Sequence, residues 1–348
     1  MIESLVSDKQ LVDLKHLLDE AQKIVLTCHV SPDGDAMGAL TAFLSVLKRQ
    51  NKDVCAITPN IFPDFLKWLP GADEVQVYEK NEEQLDPVLK AADLFVCLDF
   101  NGPSRMSMME AAVQANPAPK IVIDHHPNPE DFASCLISFP QMSSTCELLY
   151  RVIVALYGED FLGYDEAVCL YTGMMTDTGA FTYNSSRSDI YYIIGKLLEK
   201  GIDKDKIYRN VFYEYSAERF RLMGYVLYVK MEMLHEYHSV ILSLDREEQK
   251  RFSHKKGDTE GFVNIPLQIK GNKLSIFLRE NTEQDNIRVS LRSVDDFPCN
   301  QMAAEFFNGG GHLNAAGGTL ECTLDEAARA ALFPLRHPPR SRGKRVCR

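Results

Sequence analysis

Three short apolar runs stand out in the first third of the chain: KIVLTC at residues 23–28, LFVCL from Leu94, and IVI from Ile121. Each is followed at once by His or Asp. Runs of this length, rich in β-branched residues and without alternation, predict strands buried on both faces of a parallel sheet. GALTAFLSVLKRQ carries apolar residues at Leu40, Phe43, Leu44 and Leu47, the spacing of one face of a helix. VCAIT and VQVY predict further strands, so strand and helix alternate as in a doubly wound, mainly parallel α/β sheet. SSTCELLYRVIVALYG opens with Ser144 and Glu147 at capping-box spacing before an apolar helix. DEAVCLYTGMMTDTGAF predicts another helix, with Asp177 toward its end.

The pattern then changes. From about residue 187 to 230 it is helical and rich in charge and Tyr, as a connecting segment would be. SVILSLD, FVNIPLQI, KLSIFLRE and NIRVSLRS predict strands, the middle pair joined by the turn KGN, before NGGGHLNAAGG and a helix at LDEAARAALF. The expected organisation is an α/β domain at 1–190, a helical linker at 191–230, and a smaller α+β domain at 231–335. A basic, Pro-containing, disordered tail is expected at 336–348.

In HVSPDGDAMG, His29, Asp33 and Asp35 gather around an Asp-Gly turn, and a turn alone does not require the histidine. Asp99 closes the second apolar run, and Asp124, His125 and His126 close the third. Ligands of open α/β sheets bind beyond the carboxyl ends of the strands, so three strand ends bring metal-type side chains to one edge. The 348 residues, 45% apolar, suffice for two cores. The net charge of −11 argues against broad binding to long nucleic acid. A phosphate substrate would then need local positive charge, which metal ions could supply. No apolar run approaches a membrane span and MIESLVSDKQ lacks the pattern of a signal peptide, so a cytoplasmic protein with no membrane partner is expected. The nine cysteines contain no CxxC pair, which speaks against a disulfide framework or a thiolate zinc site.

His29, Asp33 and Asp35 in HVSPDGDA, Asp99 in VCLDF, the run Asp124-His125-His126, and Asp177 in MMTDTGAF match, in order, the four motifs of the DHH phosphoesterase superfamily. GGGHLNAAGG, preceded by VSLRS, resembles the associated DHHA1 domain. The resemblance covers nearly the whole chain before residue 335 and is nearest to the stand-alone nanoRNase and pAp phosphatase branch. It implies two Mn²⁺ ions, with Mg²⁺ or Co²⁺ as substitutes. One would sit on His29, Asp33 and Asp99, the other on Asp35, Asp99, His125 and Asp177, with Asp99 bridging. Donors of this kind, without thiolate, suit such ions better than structural zinc. Gly34 is expected to let the chain fold back so that Asp33 and Asp35 address different ions.

The resemblance also implies that Asp124 orients its neighbours rather than binding metal. His126, with Asp99 a candidate catalytic residue, would contact substrate or leaving group. Gly309, Gly310 and Gly311 would let backbone amides approach a phosphate while His312 points into a cleft between the domains, and Arg292 would offer its fork to the same phosphate. Phe181 and Tyr183 could stack on a base but read more readily as core, and Arg105 is a weaker phosphate candidate. The implied reaction, through a water activated by two metals, releases 5′-mononucleotides from very short RNA and AMP from 3′-phosphoadenosine 5′-phosphate (pAp). Hydrolysis of cyclic dinucleotides, pApA or pGpG is the main alternative. Pyrophosphatase or exopolyphosphatase activity is a third, although SRGK at Ser341 does not match the basic motif of the pyrophosphatase branch. The oligomeric state, a homodimer included, stays open.

Overall fold

The computed structural model describes residues 5–213 and 215–336, and the expected basic tail lies outside the described residues apart from Arg336. The chain divides into two compact units, Met1–Glu214 and Tyr215–Arg348.

The first unit runs α1 (Asp8–Glu20), β1 (Lys23–Cys28), α2 (Gly34–Arg49), β2 (Asp53–Thr58), β3 (Gln76–Val77), α3 (Tyr78–Ala91), β4 (Leu94–Leu98), α4 (Glu110–Ala115), β5 (Lys120–Asp124), β6 (Cys135–Ser138), α5 (Thr145–Tyr157), α6 (Tyr164–Asp177), α7 (Ser188–Glu199) and α8 (Lys204–Phe212). All six strands are parallel, in the order β3-β2-β1-β4-β5-β6. Successive side chains of the continuous apolar runs go to opposite faces, and both faces are covered. Ile24, Leu26, Val96 and Leu98 join α2, α5 and α6 in one core, whereas Val25, Phe95, Cys97 and Val122 join Leu85, Leu89 and Val113 of α3 and α4 in another. The expected doubly wound sheet is therefore present. β6 was not expected: CLIS is only four residues long and alternates, as an edge strand does, so no apolar run announces it. VQVY contributes only a two-residue strand. α7 and α8 bury Ile190, Ile193, Leu197, Ile207 and Val211 in the first unit's core, so this part of the expected connecting segment is packed rather than free.

The second unit comprises α9 (Ala217–Tyr228), β7 (Glu232–Leu234), β8 (Ser239–Leu244), α10 (Arg246–Arg251), β9 (Leu274–Glu280), β10 (Ile287–Ser293), α11 (Cys299–Phe306), β11 (Gly310–His312), β12 (Ala315–Leu320) and α12 (Leu324–Arg336). Its sheet order is β11-β12-β10-β9-β8-β7, antiparallel except for the β8–β9 pair. One expectation fails. FVNIPLQI is not a strand but a short 3-10 segment, Phe262–Gln268. Its buried residues are Phe262, Val263 and Pro266, a helix-like spacing, and Pro266 has no N–H to offer a ladder. KGN therefore leads into β9 without joining two strands, and the hairpin is β9–β10, closed by Asn281 N–H donating to the Asn286 carbonyl at 2.9 Å. The glycine-rich stretch is itself a strand, β11, paired with β12, rather than only a turn before one.

Candidate metal centre

In the first unit the strand order reverses between β1 and β4, where a doubly wound sheet opens a crevice beyond its strand ends. β1 pairs β4 and β4 pairs β5, so His29, Asp99 and the Asp124–His126 run leave three adjacent parallel strands on the same edge. His29 Nε2 stands 3.5 Å from Asp99 Oδ2 and 3.8 Å from Asp33 Oδ1. His125 Nε2 stands 3.4 Å from Asp177 Oδ2, 3.7 Å from Asp99 Oδ1 and 3.9 Å from Asp35 Oδ2. Two donor groups result, His29–Asp33–Asp99 and Asp35–His125–Asp177, each with its ligand atoms within 4.8 Å of one another, and the two oxygens of Asp99 face different groups. Asp124 and His126 form a third group with Asp99. Asp124 is fully buried and turns Oδ1 to His126 Nδ1 at 2.8 Å.

His29, His125, Asp33, Asp35 and Asp99 are also held from behind. His29 Nδ1 lies 2.9 Å from the Val30 carbonyl and His125 Nδ1 3.3 Å from that of Met142, which directs both Nε2 atoms at the carboxylates. Asp33 caps α2, accepting from the N–H groups of Asp35 and Ala36. Asp99 sits at φ +66°, a left-handed conformation uncommon for aspartate. Gly34 is the first residue of α2 with no left-handed φ, so the expected sharp fold-back is not its role. A Cβ there would lie 2.3 Å from Thr176 Oγ1, and the glycine instead lets α2 approach the end of α6, which carries Asp177.

Thr145 escaped the sequence analysis. Its N–H donates to Asp35 Oδ2 at 2.6 Å, its hydroxyl donates to Asp99 Oδ1 at 2.8 Å, and the next N–H, of Cys146, donates to Asp35 Oδ1 at 2.9 Å. The first turn of α5 thus presents its unpaired amides to a buried carboxylate. The SST sequence was visible but reads as an ordinary helix start. Ser144 does cap α5, whereas Glu147 does not complete a capping box: it accepts from Ser143 N–H and from Arg151 and Arg187, because two guanidinium groups are stronger partners than one cap amide.

Phe181 packs on the core with its ring centroid 5.7 Å from that of Tyr171, while Tyr183 is half exposed. The Arg105 carbonyl accepts from Val30 N–H at 2.7 Å, which brings Arg105 beside the β1 end with its side chain exposed. In the second unit, Arg292 and His312 are both register partners of Ala315, so they share one row of a sheet face, and Gly310 and Gly311 precede His312 on β11.

The pattern of the DHH family, N-terminal domain, matches residues 23–174, and that of the DHHA1 domain matches residues 240–332. The chain belongs to the DHH family. It is 28% identical over 318 residues, 90% of this chain and 89% of the other, to the bifunctional oligoribonuclease and PAP phosphatase NrnA of Thermus thermophilus. An exopolyphosphatase-related protein from Bacteroides fragilis is 49% identical, with a TM-score of 0.93 over 97% of this chain and 98% of that one. RecJ of Thermus thermophilus in complex with Mn²⁺ shares the fold at 16% identity, with a TM-score of 0.53 over 95% of this chain and 56% of RecJ.

As a DHH family member the protein is a phosphoesterase, a hydrolase. Its charge distribution suits that class. Burial, and then the charges of Asp99 and Asp177, push Asp35 well above the usual carboxylate range. Burial, Asp33 and Asp99 do the same to Asp177. Asp99 goes the other way: burial would raise it, but His29, His126 and His125 hold it well below. Such crowding of buried like charges is relieved by cations. Four carboxylates, Asp33, Asp35, Asp99 and Asp177, would neutralise two divalent ions, and the imidazole and carboxylate donors fit Mn²⁺ or Mg²⁺.

Proposed function

We propose that this phosphoesterase depends on Mn²⁺, with Mg²⁺ or Co²⁺ as substitutes, and hydrolyses very short oligoribonucleotides to 5′-mononucleotides and pAp to AMP. The sharing of Asp99 between two donor groups carries the reading: its two carboxylate oxygens face different imidazoles, as a ligand common to two ions requires. His29, Asp33 and Asp99 would hold one ion, and Asp35, Asp99, His125 and Asp177 the other. Bound there, two divalent ions supply a water of lowered pKa and the charge that offsets the phosphoryl oxygens. His126 has a separate task. Burial disfavours its charged form, but in the metal-free protein Asp124 and then Asp99 push its pKa up to about 9, which favours an imidazolium held through Nδ1. An imidazolium there would pass its Nε2 proton to a leaving oxygen, while Asp124 keeps the ring oriented. Arg292 and His312 would hold a phosphate that is not attacked.

The substrate class is supported by similarity to NrnA over nine-tenths of both chains. Its test is a panel of pAp, pApA, RNA of two to five nucleotides, a 30-mer, cyclic di-AMP, pyrophosphate and polyphosphate. Polyphosphate belongs there because the Bacteroides fragilis relative is named exopolyphosphatase-related. Turnover of pAp and short RNA is expected, abolished by EDTA and restored better by Mn²⁺ than by Ca²⁺, which prefers more oxygens at longer distances. A clear preference for polyphosphate, cyclic dinucleotides or the 30-mer would overturn it.

A further inference from the structure

A buried ion network stands behind the candidate ligands of the first unit and contributes none of them. Glu147, in the first turn of α5, is fully buried. Its Oε2 accepts from the Ser143 N–H and from the Ser143 hydroxyl, both at 2.8 Å. Its Oε1 accepts from Arg151 Nη2 at 2.7 Å, and Arg187 Nη2 donates to both oxygens, at 2.6 and 2.5 Å. Asp189 in turn pairs with both arginines. Stability alone does not call for such a network, because well-packed apolar residues of similar volume often serve a buried position as well or better.

The segment that Glu147 ties down is the one that grips the second donor group. Ser143 lies between Met142, whose carbonyl meets His125 Nδ1 at 3.3 Å, and Thr145, whose N–H and hydroxyl reach Asp35 Oδ2 and Asp99 Oδ1. The Cys146 N–H completes the grip on Asp35. The Asp99 oxygen involved is the one that faces His125, not the one that faces His29. Arg187 ends the segment that leaves α6 after Asp177, and its Nη1 lies 3.7 Å from the Met142 sulfur. His125, Asp35, Asp99 Oδ1 and the stretch after Asp177 are therefore tied, through Ser143 and Arg187, to one carboxylate. The first donor group is supported differently. His29 Nδ1 faces the Val30 carbonyl, Asp33 accepts from the first amides of α2, and the Val30 and Ser31 N–H groups donate to the Arg105 carbonyl and to Asn60 Oδ1. None of these partners belongs to the Glu147 network.

We propose that Glu147 is the positioning residue of the second ion site: through Ser143 and Arg187 it sets the places of His125, Asp35 and Asp177, and it serves the first site only through the shared Asp99. The inference deepens the proposed function and rests on its two-ion reading. Its basis is geometric. Metal–ligand distances tolerate only about 0.2 Å of error, so ligands fixed from behind bind an ion without first having to be ordered. Removing the charge of Glu147 leaves Arg151 and Arg187 to find other acceptors and frees the 142–145 segment to shift. The ligands that this segment grips then lose their common frame, while His29 and Asp33 keep theirs.

The test counts ions rather than turnover. Mn²⁺ is titrated into the metal-free full chain and the unbound ion is read by electron paramagnetic resonance, for wild type, Ser143→Ala and Glu147→Gln. Wild type should take two ions. Glu147→Gln should keep one and bind the other about ten- to a hundredfold more weakly. Ser143→Ala, which leaves the arginines on Glu147, should show a smaller loss in the same ion. Two reference variants tell which ion is lost. Added to His125→Gln, which damages the second site, Glu147→Gln should cost little more, whereas added to His29→Gln it should remove tight binding altogether. Equal weakening of both ions, or unchanged affinity in both variants, would overturn the inference and leave the network to the fold. Should Glu147→Gln not fold, Ser143→Ala decides by the same criterion. A wild-type chain that takes fewer than two ions fails the two-ion reading, and the inference falls with it. Two ions in wild type and in unaltered variants sink the inference alone.

Discussion

At the strand ends of the first unit, His29, His125, Asp33, Asp35 and Asp99 each already have a second partner. One ring nitrogen of His29 and of His125 faces a backbone carbonyl, Asp33 and Asp35 accept from helix amides, and Asp99 accepts from Thr145. Apart from Asp33 and Asp177 these side chains are almost entirely buried. On the second unit's sheet, Arg292 is half-buried with Nη1 donating to the carbonyl of Leu291, and His312 stands exposed at the edge. Chemistry that depends on fixed distances is built from crossed hydrogen bonds in a dry crevice. The proposed recognition of a flexible nucleotide would fall to long side chains on an open face, where adaptability costs little.

The difference can be broken at its strongest point. Asp99→Asn keeps shape but loses the charge facing both donor groups, and turnover of pAp should fall on the order of a thousandfold, together with bound Mn²⁺ measured by elemental analysis. A normal rate with normal Mn²⁺ would remove Asp99 from its shared role. Arg292→Ala and His312→Ala should do the opposite: Mn²⁺ content stays at the wild-type level while kcat/KM for pAp drops roughly ten- to a hundredfold. An aryl phosphodiester, which has no second phosphate to hold, should lose much less. Equal losses on both substrates would place these residues in the fold rather than in recognition.

Smaller effects sharpen the same comparison. Thr145→Val removes a hydroxyl from Asp99 at nearly constant volume and should weaken Mn²⁺ binding about tenfold, with Thr145→Ser near wild type. If Val and Ser behave alike, Thr145 acts through packing or through its N–H, which both variants retain. The smallest effect is a titration. In metal-free protein the His126 ring signals should titrate near pH 9 rather than at the ordinary 6.5, and Asp124→Asn should bring them back toward it. Because the folded value is the raised one, the His126–Asp124 pair adds stability in full below about pH 6.5 and loses it as pH rises to about 9. Asp124→Asn should therefore destabilise more at pH 6 than at pH 9.5 in thermal melts, and a constant difference would mean that the pair carries no proton-linked stability.

Local order determined much of this protein. A continuous apolar run ending in His or Asp is a strand with a polar side chain at its carboxyl end wherever it lies in the sheet, so β1, β4 and β5 and their polar ends were legible in KIVLTC, LFVCLD and IVIDHH. The DHH motifs were legible for the same reason. Other features came only with the tertiary structure, because each depends on which surfaces meet. FVNIPLQI has the composition of a strand, and what decides its form is which side chains are buried beneath α9. Gly34 looked like a turn residue until Thr176 filled the space beside it. Thr145 is more than a hundred residues from Asp35, and no spacing rule connects them. A strand end or a capping motif is set by neighbours a few residues away, whereas the partner that fixes a buried carboxylate is set by helix packing.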